Sequence, residues 1–102
     1  DSSFPGHGFA RTVPWEVIAS DGDPDGATRL TLRLVASENT KAQWPHSCNL
    51  DLTVIIGETL RMEMSTENTG TEDFVLGEAL HTYLQISDIG SVSVTGLEDC
   101  DY

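Results

Sequence analysis

The stretch Leu50-Asp-Leu-Thr-Val-Ile-Ile-Gly-Glu-Thr-Leu-Arg-Met-Glu-Met64 decides the fold. Apolar residues stand at Leu50, Leu52, Val54 and Ile56, then again at Leu60, Met62 and Met64. That period of two belongs to half-buried strands. Gly57-Glu58-Thr59 lies between the two runs and suits a three-residue hairpin loop. Pairing Ile56 with Leu60 also pairs Val54 with Met62 and Leu52 with Met64. Every apolar side chain then shares one face. A slip of one residue would set Val54 opposite Arg61, and such slips are penalised wherever one face is buried.

Working outward, Leu30, Leu32 and Leu34 alternate with Thr31 and Arg33, which predicts another strand. Residues 13–20 form a further candidate, with Pro14 confining its start to an edge or lead-in position. Asp21-Gly-Asp-Pro-Asp-Gly26 is a loop by its turn chemistry. Trp44-Pro-His46 leads into the Leu50 strand, and Asn68-Thr-Gly70 opens a connection. Downstream, 74–76, 80–87 and 92–95 read as shorter strands. Apolar residues show no helical repeat. The pattern predicts an all-β protein, an antiparallel β-sandwich. Residues 1–102 read as a single partial sandwich domain, a fragment of a larger one.

The composition narrows the function. Seventeen acids against five Lys and Arg give a net charge of −12. Nucleic-acid backbones and anionic membrane surfaces call for clustered cations, so neither is an expected partner. An anionic ligand would need a local cation, and Arg11, Arg29, Arg33, Lys41 and Arg61 are the candidates besides histidine. No apolar run is long enough to span a bilayer. Cys48 and Cys100 make no metal-ligand or redox spacing. They read as thiols in a reducing compartment, so a cytoplasmic location is expected.

Three histidines could carry chemistry: His7, His46 and His81. His81 lies in Glu78-Ala-Leu-His-Thr-Tyr83. On a regular strand it would share a face with Ala79 and Tyr83, away from a core face of Leu80 and Leu84, and Glu78 would point away from it. A histidine held on a rigid strand is suited to general acid work near neutral pH. The plainer alternative is a histidine satisfied by Tyr83 or by a backbone group. His7 lies in Pro5-Gly-His-Gly-Phe-Ala-Arg11, where flanking glycines allow positive φ or close approach to a ligand. His7 and Arg11 could both hydrogen-bond a polyol or a phosphate. His46 reads as structural. No zinc spacing, phosphate-cradling glycine loop or nucleophile elbow is present.

His7-Gly-Phe-Ala-Arg11 with Trp15, then Trp44-Pro-His46, Glu78-Ala-Leu-His-Thr-Tyr83, Asp88-Ile89 and Val94-Thr-Gly-Leu97 occur in this order. The combination resembles the central part of the glucose-6-phosphate 1-epimerase (hexose-6-phosphate mutarotase) family, within the galactose-mutarotase-like superfamily. The resemblance covers essentially the whole chain. Leu84 stands where that family often has an aromatic residue, and Asp99 falls in a turn that often carries glycine.

The resemblance implies a large β-supersandwich with its site on a concave sheet face. It implies interconversion of the α and β anomers of a hexose 6-phosphate. His81 would be the general acid towards the ring oxygen, and His7 would bind and polarise the sugar. Arg11 would help hold the substrate or its 6-phosphate. Acid–base transfer needs neither cofactor nor metal. The family's glutamate base belongs to a downstream segment that nothing here matches, and an upstream arginine-bearing strand is also unmatched. The chain alone is therefore expected to be inactive, with exposed sheet edges that favour association. Two other readings stay open. One is a non-catalytic carbohydrate-binding β-sandwich, and the other is a small acidic β-domain with structural histidines.

Overall fold

A computed structural model describes residues 6–100. Four antiparallel strands form one sheet in the order β1-β2-β3-β4. They are β1 (Trp15–Gly22), β2 (Thr28–Leu34), β3 (Cys48–Ile56) and β4 (Leu60–Asn68). The sequence expectation of an all-β antiparallel protein holds. The β3–β4 hairpin has the register read from the sequence: Ile56 faces Leu60, Val54 faces Met62 and Leu52 faces Met64. Gly57 N–H donates to the Thr59 carbonyl at 3.0 Å and closes the loop. A Cβ on Gly57 would lie 3.1 Å from the Ala27 Cβ, so the close approach of the two turns favours glycine. Ala27 is the one buried apolar residue among those described, at 7% exposure.

β2 extends the same face. Leu30 pairs with Val54 and Leu32 with Leu52, while Trp15 and Val17 of β1 pair with Leu34 and Leu32. Side chains of paired residues stand on the same side of a sheet. One face therefore carries Trp15, Leu30, Leu32, Leu34, Leu50, Leu52, Val54, Met62 and Met64. The register shifts between Val17 and Ala19, a bulge on the edge strand. Pro14 sits just before that edge strand, where its missing N–H costs no ladder bond.

The opposite face is polar apart from Ile55, and cross-linked. Arg33 grips Asp51 with two hydrogen bonds, at 2.7 and 2.8 Å. Thr31 and Thr53 hydroxyls meet at 3.3 Å, and Asn49 donates to Glu67 at 3.1 Å. Arg29 holds Asp23 of the preceding turn, and Arg61 reaches Glu63 at 2.6 Å.

Two parts of the sequence reading need correction. A short helix, α1 (Glu38–Gln43), interrupts the strands. It starts on a capping box in which Ser37 accepts from the Thr40 N–H and Thr40 accepts from the Ser37 N–H. The helix is polar and too short to show an apolar period. The second correction concerns 74–76, 80–87 and 92–95, which are not strands. Residues 69–88 are irregular, and a 3₁₀ turn follows at Ile89–Ser91. Apolar alternation predicts a strand only where a neighbour can take its backbone hydrogen bonds. Among the described residues no second sheet stacks on the first. Asp99 does take the left-handed conformation, φ 64°, expected of a turn that favours glycine.

The Asp51 carboxyl is held below its ordinary range, foremost by the hydrogen bond from Arg33. A carboxyl lowered in the folded state contributes stability above its unfolded value, roughly 3.9. That contribution is lost as pH falls through the lower folded value. Asp51→Asn is therefore expected to cost up to about 1 kcal/mol at pH 7, the scale of a partly exposed pair. The gap to wild type should close as pH falls below roughly 3.9. Urea unfolding at stepped pH checks this, and a gap that ignores pH would exclude the ion pair as its cause.

Candidate functional site

A cavity of about 900 Å³ lies at one end of the apolar sheet face. Its floor is Leu34, Leu50, Met64 and Thr66. Thr66 pairs with Leu50 across the β3–β4 ladder, so the floor is a patch of the same face that the hairpin register creates. Three loops form the walls: His7–Ala10, the end of α1 with Trp44–Cys48, and Leu76–His81.

The first wall is held by Trp15. Its indole N–H donates to the Ala10 carbonyl at 2.8 Å and fixes the loop to the start of β1. Within the loop, the Thr12 N–H and hydroxyl both donate to the Phe9 carbonyl, forming a 3₁₀ turn over Ala10–Thr12. His7 and Gly8 both adopt positive φ, 65° and 72°. A non-glycine residue in that region costs of order 1 kcal/mol, and such strain is often found at functional sites.

The second wall comes from the helix end. The Trp44 N–H donates to the Thr40 carbonyl at 2.7 Å. Trp44 meets His46 edge-on at 4.8 Å and Phe74 edge-on at 5.4 Å. His46 stacks on Phe74 at 5.1 Å with 26° between the planes. Phe74 is the only half-buried residue from 71 to 100, the rest being exposed. It therefore anchors the third wall. Near its start the third wall is also tied by Asn68, which donates to the Glu72 carbonyl, and by the Thr69 N–H, which donates to Ser47.

The third wall brings in His81. Its ring meets the His7 ring edge-on, with centroids 4.8 Å apart and planes at 78°. Two motif histidines distant in sequence thus share one rim. The route differs from the strand argument. His81 lies on irregular chain, and Leu80 and Leu84 form no core face, being 47% and 71% exposed. Glu78 does not point away from the site, because it lines the same cavity. His46, read as structural, also lines it while packing in the aromatic cluster. Arg11 is exposed on the 3₁₀ turn and is not part of the lining. Lys41, named among the possible cations, is. The anchoring roles of Trp15 and Phe74 were also unread, although both lie in or beside the quoted motifs.

Cys48 is a half-buried free thiol on the cavity wall, and Cys100 is free and exposed. Among the described residues no three His, Cys, Asp or Glu side chains gather into a possible metal cluster. No helix among them is long and apolar enough to cross a membrane.

Comparison with known proteins gives this arrangement its context. The family model described as "Aldose 1-epimerase" matches residues 1–102. A protein of Escherichia coli K12 named "Putative glucose-6-phosphate 1-epimerase" is 40% identical over 96 residues, covering 94% of this chain and 31% of that protein. A Salmonella typhimurium protein of the same name is 38% identical over 96 residues, with 94% and 31% covered. Another of that name from Cenchrus ciliaris is 36% identical over 108 residues, with 94% and 32% covered. The chain thus spans about a third of the length of these curated relatives. No solved structure matches it with significance. The chain belongs to the aldose 1-epimerase family, whose fold is galactose-mutarotase-like.

Proposed function

We propose that this chain is the central portion of a larger epimerase that interconverts the α and β anomers of a hexose 6-phosphate. The observation that carries the reading is the meeting of His7 and His81, ring centroids 4.8 Å apart, on the rim of the cavity. The names of the relatives support the substrate class.

In this reading His81 is the general acid. A carboxylate base removes the proton from the anomeric hydroxyl, and His81 delivers a proton to the ring oxygen. The bond between C1 and the ring oxygen breaks and C1 becomes an aldehyde. Rotation about C1–C2 and reclosure return both protons and give the other anomer. Histidine suits the acid role because its proton exchanges near neutral pH. His7 orients and polarises the sugar, and Arg11, just beyond the lining, contacts the substrate or its phosphate. The family resemblance implies that the base is a glutamate of a downstream segment, supplied by the rest of the protein. Neither metal nor cofactor is required by proton transfer of this kind. The reading includes a cytoplasmic location, which suits free thiols.

The rest of the protein has a second task, to cover the apolar face. Val17, Ile18, Ile56 and Leu60 are 42–59% exposed, and β1 and β4 both present open edges. Such surface favours association. Produced alone, the chain should therefore bind a hydrophobic dye, self-associate and lack epimerase activity. Co-produced with the remaining segments, it should form a stoichiometric active complex. A monomeric, dye-silent chain would remove this part of the proposal.

His81→Asn in the full-length protein should lower kcat for glucose 6-phosphate by about 10²–10⁴-fold, the usual weight of one general acid, with unchanged melting. Turnover at the wild-type rate would exclude His81 as the acid. Sugar binding without any turnover in the wild type would leave the carbohydrate-binding module as the reading.

Phe74→Ala should remove aromatic contacts worth about 0.5–1.5 kcal/mol each and free the wall that carries His81. Limited proteolysis should then cut faster within residues 75–87, while the sheet keeps its protection. Unchanged cleavage would mean that Phe74 does not anchor this wall.

A further inference from the structure

His81 lies on a wall that has no ladder of its own. Residues 69–88 are irregular, and from 71 to 100 only Phe74 is half-buried. The place of the His81 ring beside His7 therefore depends on the seat of Phe74. Two rings make that seat. Trp44 meets Phe74 edge-on, with centroids 5.4 Å apart. His46 lies against its face, with centroids 5.1 Å apart and 26° between the planes. Trp44 also closes edge-on against His46, at 4.8 Å. The imidazole is thus the member of the cluster that touches both of the others, and it lines the cavity as well.

The backbone that presents this imidazole is fixed on both sides. Before it, the Trp44 N–H donates to the Thr40 carbonyl at 2.7 Å, in a helix that starts on its own capping box. Pro45 follows with its ring-locked φ. After it, the Ser47 carbonyl accepts from the Thr69 N–H at 3.0 Å, just past the end of β4. A flat ring held this firmly can serve as a platform for a segment that lacks strand pairing. It is not a core residue. His46 is exposed, and it borders a second, smaller cavity of about 180 Å³ with Asn68 and Glu72. Truncating so exposed a side chain should cost little global stability.

We infer that His46 is a positioning residue for the acid: its imidazole, stacked on Phe74, sets the wall so that His81 stands beside His7. This rests on the epimerase reading above. His46 gives no proton to the sugar and takes none from it. It orients another group, so its removal should act on the chemical step and not on sugar binding. One aromatic pair has a weight that corresponds to about a 2–10-fold change in the population of the seated wall.

The test uses the full-length protein with His46→Ala and His46→Phe, and with His46→Ala combined with His81→Asn. Anomerisation of glucose 6-phosphate gives kcat and KM, thermal melting gives stability, and NMR follows the ring protons of His81. His46→Ala should lower kcat by about 2–10-fold, with KM and melting little changed, and should shift the His81 signals. His46→Phe keeps a flat ring for the stack and should recover most of the loss. In the His81→Asn background His46→Ala should cost nothing more, since the residue acts through His81. Unchanged kcat in His46→Ala overturns the inference, and so does an equal loss in the His81→Asn background. A loss confined to KM, or no recovery in His46→Phe, overturns it too. Failure of the epimerase reading looks different: the wild type would not speed anomerisation, while the His81 signals would still move in His46→Ala and return in His46→Phe.

Discussion

Everything in this molecule depends on the register of the β3–β4 hairpin. Ile56 opposite Leu60 sends Val54, Met62, Leu52, Met64 and Leu50 to one side, and the ladder with β2 adds Leu30 and Leu32 to that side. The other side receives Arg33, Asp51, Thr31 and Thr53. A slip of one residue would place those charges on the apolar side and take away the cavity floor of Leu34, Leu50 and Met64. The three-residue loop and the close approach of Gly57 to Ala27 oppose the slip from one end. The Asn49–Glu67 hydrogen bond spans β3 and β4 near the other end, while the Arg33–Asp51 fork fixes β3 to β2. The face that grips the chain by charge is therefore what leaves the apolar face free to carry a site.

The walls of the site obey different physics from its floor. The sheet is held by ladder hydrogen bonds, whereas the loop walls hang on a few side chains. Trp15 ties down the loop that carries His7, and Phe74 seats the loop that carries His81 between Trp44 and His46. His7 sits in the left-handed region, where its backbone is strained by of order 1 kcal/mol. Flanking Gly6 and Gly8 impose no Cβ of their own on this bend. Removing either anchor would let the two imidazoles part without disturbing the ladder. Stability and site geometry are thus largely carried by different residues.

This division explains what could be read from the sequence. The hairpin was legible to the residue, because period two and turn chemistry are local signals that the sheet obeys. The motif histidines His7 and His81 were legible as candidates, but the means of their meeting was not. The argument for His81 assumed a strand, and the chain there has no neighbour among the described residues to pair with. The same assumption turned Glu78 away from a cavity that it lines. The helix α1 escaped because its signal is a capping box of Ser37 and Thr40 and not an apolar period.

The unused alternation downstream has its own meaning. Leu80, Leu84, Ile86, Val92 and Val94 are between 44% and 75% exposed. Exposed apolar residues are ordinary when scattered singly, but here they recur at strand spacing along one segment. A segment of that composition is stable in water only when its backbone groups and its apolar side chains both find partners. Within the described residues the side chains stay exposed and no strand pairs with the segment, its regular backbone bonds being those of the 3₁₀ turn at Ile89–Ser91, while the sheet has two open edges and a partly bare face. The pattern and the bare face are two halves of one requirement. Apolar alternation records a tendency to pair and to bury, and in 80–94 that tendency goes unmet among the described residues.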